Sequence, residues 1–178
     1  MRLVDQILEV AAALTSAKLK FGFGGALALA WCTEQARGTI DIDVNVFVTT
    51  NEAPAVLAAL PDGVLVTQEA RSLLESDGQV RLFWDTTPID LFLSVAPFHH
   101  EVSRRLRFET FGGRQVPFLS CIDIAIFKVL YNRTKDWADL EAMVAAGCLD
   151  GVVVVGELTR LLGGSDGRIE RLINLLGW

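Results

Sequence analysis

Three aspartates and a pair of glycines carry the chemistry that this sequence could do. Asp41 and Asp43 stand two positions apart in Ile40-Asp41-Ile42-Asp43-Val44-Asn45-Val46-Phe47-Val48, and Asp90 lies in Thr87-Pro88-Ile89-Asp90-Leu91-Phe92-Leu93. The first run alternates apolar and polar residues, which predicts a strand over 40–48 with one buried face. Residues i and i+2 of a strand share a face with Cα atoms about 6.6 Å apart, so both acids can reach one cation or bridge two. Mg²⁺ suits such a set, since it takes oxygen ligands, one or two carboxylates among them, and shares the rest with substrate phosphates. Two acids on one face repel each other when nothing lies between them. Asp90, inside an otherwise apolar strand, calls for a metal, a base or solvent, because an unpaired buried carboxylate costs several kcal/mol.

Gly24-Gly25 supplies the complementary half. A backbone without side chains can approach a phosphate closely, and a helix that follows offers free N–H groups at its positive end. The 15 residues between Gly25 and Asp41 suffice for a short helix and a return strand. Phosphate cradle and carboxylates then lie side by side, an arrangement for phosphoryl or nucleotidyl transfer. The plainer alternative is that Asp41 and Asp43 form the wet face of an edge strand.

Elements to position these residues can be read along the chain. Leu3, Ile7, Val10, Ala11 and Leu14 follow a helical period over 3–18, and 26–34 has helical composition. Helices are expected from Asn51 to about Leu60, around 68–76 and over 98–105. Strands are expected at 20–23, 64–66, 79–84, 88–95, 107–111 and 115–118, the last two joined by Gly112-Gly113. From Ser120 the pattern turns helical, with Ser120-x-x-Asp123 as a start, Thr134 capping the next helix and Gly147 closing it. Two more helices follow, over about 150–162 and 166–176. Val152–Val155 is strand-like by propensity, but Leu158, Leu161 and Leu162 continue a helical apolar face. The fold class expected is α+β, a mixed sheet flanked by helices, with a core over 1–119 and a helical region over 120–178 packed on it.

Gly-Gly, Asp-x-Asp and a later strand Asp, in that order, resemble the nucleotidyltransferase superfamily, whose fold is like the DNA polymerase beta catalytic core. Asp123-Ile124-Ala125-Ile126-Phe127-Lys128, followed by Arg133-Thr134-Lys135-Asp136-Trp137-Ala138-Asp139-Leu140, is similar to a stretch of AbiEii-type bacterial nucleotidyltransferases. The resemblance covers residues 21–140. It implies transfer of a nucleoside monophosphate from an NTP to an acceptor hydroxyl on a protein, an RNA or a small molecule. By position, Asp41, Asp43 and Asp90 bind Mg²⁺, with Asp90 as ligand or general base. Gly24 and Gly25 hold the triphosphate, Lys128 reaches toward phosphates, Arg37 contacts nucleotide, and Asp136 organises the site. Gly25 replaces the serine common in the superfamily, and Ile122 stands where relatives often carry Glu. These departures keep a second reading open: a weak or inactive nucleotidyltransferase-fold protein that binds an antitoxin-like partner.

The remaining features narrow the class. Half of the 178 residues are hydrophobic, enough for a core and incompatible with a disordered chain. No apolar run reaches the length of a membrane span, and no cleavable leader pattern is visible, so a cytoplasmic protein is expected. A net charge of −6 argues against a broad nucleic-acid face; Arg104, Arg105 and Arg107 form the densest basic cluster. Cys32, Cys121 and Cys148 make no CxxC pair and read as buried reduced thiols. His99-His100-Glu101 lacks zinc-site spacing. A dinucleotide fingerprint starting at Gly22 fails because Leu27 occupies the third glycine position. Lys128 could snorkel to solvent, and Lys135 could pair with Asp139 one turn on.

Overall fold

The computed structural model describes residues 1–35 and 38–178. Among these, seven strands form one mixed sheet: β1 (Phe21–Phe23), β2 (Ile42–Val46), β3 (Val64–Leu65), β4 (Gln79–Trp84), β5 (Thr87–Leu93), β6 (Arg107–Phe111) and β7 (Arg114–Phe118). Their order across the sheet is β3-β4-β5-β2-β1-β7-β6. The pairs β2–β5 and β1–β7 are parallel, and the other neighbours are antiparallel. Helices α1 (Leu3–Ser16), α2 (Gly25–Thr33), α3 (Ala53–Ala59), α4 (Gln68–Asp77) and α5 (Phe98–Arg104) intervene. Four more follow the sheet: α6 (Cys121–Tyr131), α7 (Thr134–Ala145), α8 (Gly151–Leu162) and α9 (Gly167–Leu176).

Two units make up the chain. One contains Met1–Leu27 and Gly38–Leu119, hence the whole sheet; the other contains Ser120–Trp178 together with the segment that starts at Ala28. In the sheet unit, one face of the central strands is apolar and buried: Ile42, Val44 and Val46 on β2, Ile89, Leu91 and Leu93 on β5, Val80, Leu82 and Trp84 on β4. Register matches these residues across the strands, Ile42 to Ile89 to Leu82 and Val44 to Leu91 to Val80. Strict alternation then forces the intervening residues onto the other face. That is how Asp43, Asp90 and Arg81 come to share it.

Turn chemistry closes the hairpins. Gly112 and Gly113 both take positive φ, +55° and +79°, as a two-residue hairpin turn requires. The β4–β5 turn is made at Asp85, also at positive φ. On α1, Gln6 is buried and joins the hairpin: its amide donates to the Trp84 carbonyl at 3.3 Å and its oxygen accepts from Thr87 at 2.8 Å.

A disulfide crosslinks two segments of the helical unit. Cys32, in the last turn of α2, and Cys121, at the start of α6, form a disulfide with Cα atoms 5.6 Å apart. This corrects the expectation of reduced thiols for both residues. Sequence separation of 89 residues carries no information about the approach of two helix ends. Cys148 remains a thiol, half-buried, donating to the Met143 carbonyl at 3.4 Å. Residues 152–155 are helical within α8, whose N-cap Asp150 accepts from the Val153 N–H. Among the described residues no helix is long and apolar enough to cross a membrane.

Candidate functional site

The site is built on the polar row that runs across β2, β5 and β4. Asp43 pairs in register with Asp90, and Asp90 with Arg81. Register partners on neighbouring strands point to the same face with Cβ atoms about 5 Å apart. Arg81 holds Asp90 through two parallel bonds, Nε to Oδ1 at 2.7 Å and Nη2 to Oδ2 at 2.6 Å. The same Nη2 reaches Asp41 Oδ2 at 4.0 Å. Side-chain exposure is graded, 18% for Asp90, 32% for Asp41 and 54% for Arg81, so the guanidinium covers the acids from the solvent side. Hydrogen bonding to Asp90, then the charges of Asp90, Asp41 and Asp43, hold Arg81 further above its ordinary pKa despite an opposing contribution from burial.

Asp41 reaches this group from outside the strand. β2 begins at Ile42, and Ile40 is 79% exposed, so the alternation read over 40–48 overshoots the strand at both ends. Thr39 fixes the Asp41 carboxylate instead, donating from Oγ1 to Oδ1 at 2.6 Å. The two aspartates therefore share a side without sharing a strand ladder.

The glycines lie against Asp43. The Gly24 N–H donates to the Asp43 carbonyl at 2.9 Å. Gly25 opens α2 at φ +54°, and a Cβ there would stand 1.9 Å from Asp43 Oδ2 and 2.5 Å from its carboxyl carbon. A Cβ on Gly24 would come within 3.3 Å of Asn45 Nδ2 and of Leu119 Cδ1. Asn45, two residues after Asp43 and buried, is thus part of the wall behind the turn. Sequence reading passed over it as one more polar position in an alternating strand. Arg81 was missed too, although its place in a β4 that alternates exposed and buried made it a polar-face residue.

Among the described residues no three His, Cys, Asp or Glu side chains stand together as a preformed metal cage. The donor chemistry nevertheless fits Mg²⁺: Asp41 and Asp90 flank the Arg81 guanidinium, and Asp43 is in register beside Asp90. Mg²⁺ is ordinarily held by one or two carboxylates and substrate phosphates rather than by an all-protein cage. Here the Arg81 guanidinium lies between Asp90 and Asp41.

The residues of the C-terminal resemblance are bonded to one another within the helical unit. Lys128 is buried on α6 and donates to Asp139 Oδ2 on α7 at 2.6 Å, with Asp136 Oδ1 at 3.9 Å. Asp136, also buried, accepts from Arg133: its N–H at 3.1 Å, Nε at 2.7 Å and Nη2 at 3.1 Å. Burial pushes the Asp136 pKa up, but these bonds and the Arg133 and Lys128 charges outweigh it, and the net shift is downward. Arg133, rather than Thr134, is thus the residue before α7, and Asp136 closes the helix start by accepting its N–H. Asp139 is paired with Lys128 and not with Lys135. Ser120 donates to buried Asp123 at 2.5 Å and accepts from its N–H, the α6 start read from sequence. Arg37, expected to contact nucleotide, lies outside the described residues.

No family model and no curated protein sequence matches the chain. Solved structures do resemble it. The antibiotic-resistance factor ANT(2'')-Ia, in complex with adenylyl-2''-tobramycin, superposes with a TM-score of 0.58 at 17% identity, covering 98% of this chain and 96% of that one. Its solution structure gives 0.60 at 16% identity, over 89% and 92%. The lincosamide antibiotic adenylyltransferase LnuA, lincomycin-bound, gives 0.55 at 12% identity, over 80% and 96%. Sheet order, helices and these neighbours agree: the chain has the nucleotidyltransferase fold.

Proposed function

We propose that this chain is a metal-dependent nucleotidyltransferase that moves a nucleoside monophosphate from an NTP to a hydroxyl of a small-molecule acceptor. One observation carries the reading: in this fold, Asp43 and Asp90 are register partners on one sheet face, with the Gly24-Gly25 turn laid against Asp43. Asp43, Asp90 and Asp41 would hold Mg²⁺ together with phosphate oxygens. Bound there, the ion would neutralise phosphate charge as it develops in transfer. Gly24 and Gly25 keep the backbone bare where the triphosphate approaches, and the first N–H groups of α2 have no carbonyl partner within their own helix. Asp90 accepts the proton of the attacking hydroxyl as its oxygen bonds to the α-phosphorus and pyrophosphate leaves.

Support for the acceptor class comes from the neighbours: one was solved with adenylyl-2''-tobramycin and another with lincomycin. The kinship to AbiEii-type enzymes rests on the Asp123–Lys128 and Arg133–Asp139 segments. In this reading those segments hold the helical unit together, since Lys128 and Asp136 are bonded to Asp139 and Arg133. The alternative of a binding protein with an antitoxin-like partner makes a different prediction in the same assay.

The test is incubation with each α-³²P-labelled NTP and Mg²⁺, with aminoglycosides, lincosamides, RNA or cell lysate as acceptors. Label on a small molecule, lost in Asp43→Asn, is the expected result. Label on RNA or protein would keep the chemistry and replace the acceptor. No transfer to any acceptor, with NTP binding retained, would favour the binding protein.

A further inference from the structure

We propose that Arg81 is a built-in counter-ion of the acidic site, which occupies the cation position until metal and triphosphate arrive together and so couples their binding. The inference rests on the metal-dependent reading above. Its basis is the geometry of one side chain: Arg81 makes a two-bond fork on Asp90 and also reaches Asp41 at 4.0 Å. Two of the acids that would ligate the metal are thereby engaged by a cation that belongs to the protein.

A guanidinium does not lose its proton in a protein. It can clear the carboxylates only by moving. Arg81 is free to do so, because more than half of its side chain is in solvent while its β4 backbone is fixed in register with Asp90. The fork takes one acceptor site on each Asp90 oxygen and holds a positive charge beside both, so a divalent ion that binds there while the fork is closed meets charge repulsion. Metal alone must compete against an intramolecular cation at very high effective concentration. Metal carried on a triphosphate meets a different balance. The phosphates offer the displaced guanidinium a new bidentate partner of higher charge, which is the geometry arginine suits best. Arg81 thus opposes metal binding without nucleotide and favours it with nucleotide.

A like-charge argument explains why such a residue is present. Asp43 and Asp90 face each other directly across two strands, with Asp41 on the same side. Carboxylates so placed destabilise the sheet when no cation is near. Arg81 brings such a cation to Asp90 and Asp41.

The experiment measures Mn²⁺ affinity by electron paramagnetic resonance on the full chain, with and without α,β-methylene-ATP. Wild type, Arg81→Gln, Arg81→Lys and Asp43→Asn are compared, each checked for folding by circular dichroism. Without nucleotide, Arg81→Gln should bind Mn²⁺ about tenfold or more tightly than wild type. With the analogue that advantage should shrink or reverse. Arg81→Lys, which keeps the charge but loses the fork, should fall between, and it serves alone if the Gln variant does not fold. Equal or weaker Mn²⁺ binding by the Arg81 variants, with binding lost in Asp43→Asn, would overturn the coupling and leave the metal site standing. Absence of Mn²⁺ binding in every protein, with and without the analogue, would overturn both.

Discussion

Gly25 and Asp43 are in such close apposition that the glycine has no substitute: a Cβ at Gly25 would lie 1.9 Å from the Asp43 carboxylate oxygen. The positive φ of +54° at Gly25 adds a second reason, since left-handed backbone is costly for residues with side chains. Gly25→Ala should therefore displace Asp43 or unwind the first turn of α2. The expected outcome is destabilisation of about 1–3 kcal/mol with loss of NTP binding, measured by urea denaturation and calorimetry. Gly113→Ala is the control, because its φ is also positive, +79°, but no atom lies within 4 Å of an added Cβ. It should lose stability and keep nucleotide binding.

Neutralising an acid should separate activity from stability. Asp43→Asn keeps the size and shape of the side chain beside Gly25, so the melting temperature should change little. Transfer should fall on the order of 10²-fold or more, as when one charge-stabilising group is removed. Paired melting and turnover measurements on the same preparation decide it; a variant that melts earlier and turns over normally would return Asp43 to a structural role.

Much of this architecture is legible along the chain, and the reasons are local. The Gly112-Gly113 hairpin, the Ser120 helix start and helix over Val152–Val155 follow from turn residues, caps and periodicity. What escaped is relational. Ile40 is apolar by type yet exposed, and only the sheet shows that β2 starts after Asp41. Arg81 becomes a partner of Asp90 through strand register, which no single segment encodes. Asp139 has Lys135 one turn away on its own helix, but takes Lys128 from α6 at a separation of 11 residues. Burial made the difference: a desolvated Lys needs an acid more than an exposed one does.

That pairing leads to a stability prediction. Lys128→Met leaves Asp139 buried against an apolar side chain, and breaking one side of a buried pair typically costs about 3–5 kcal/mol. Adding Asp139→Leu to the same variant should recover most of the loss, since well-packed apolar replacements are often neutral. Chemical denaturation of the wild type, the single and the double variant measures this. Equal stability of single variant and wild type would show that the ammonium is solvated in solution.

Reduction of the Cys32–Cys121 bond should weaken the fold, because the crosslink spans 89 residues and restricts the unfolded chain most when the loop is long. A loss of about 2–4 kcal/mol is expected in dithiothreitol or in Cys32→Ser. Alkylation mass spectrometry before and after reduction should label Cys148 alone, then all three thiols.

Acid unfolding should report on Asp136. Its bonds to Arg133 hold its folded pKa below the ordinary carboxylate value, in spite of the burial that opposes them. A carboxylate with a depressed folded pKa contributes stability that is complete above its unfolded pKa, about 3.9, and fades as pH falls toward the folded value. Wild type should then lose this contribution only below about pH 4. Asp136→Asn gives up that contribution at neutral pH and so should be less stable there. Because it no longer titrates at this position, the gap to wild type should close as pH is lowered through that window. Stability of both proteins, followed by urea denaturation between pH 7 and pH 2.5, measures the gap. A gap that stays constant across the range would mean that the Asp136 carboxyl titrates alike in folded and unfolded chains, and that its bonds to Arg133 do not favour the charged form.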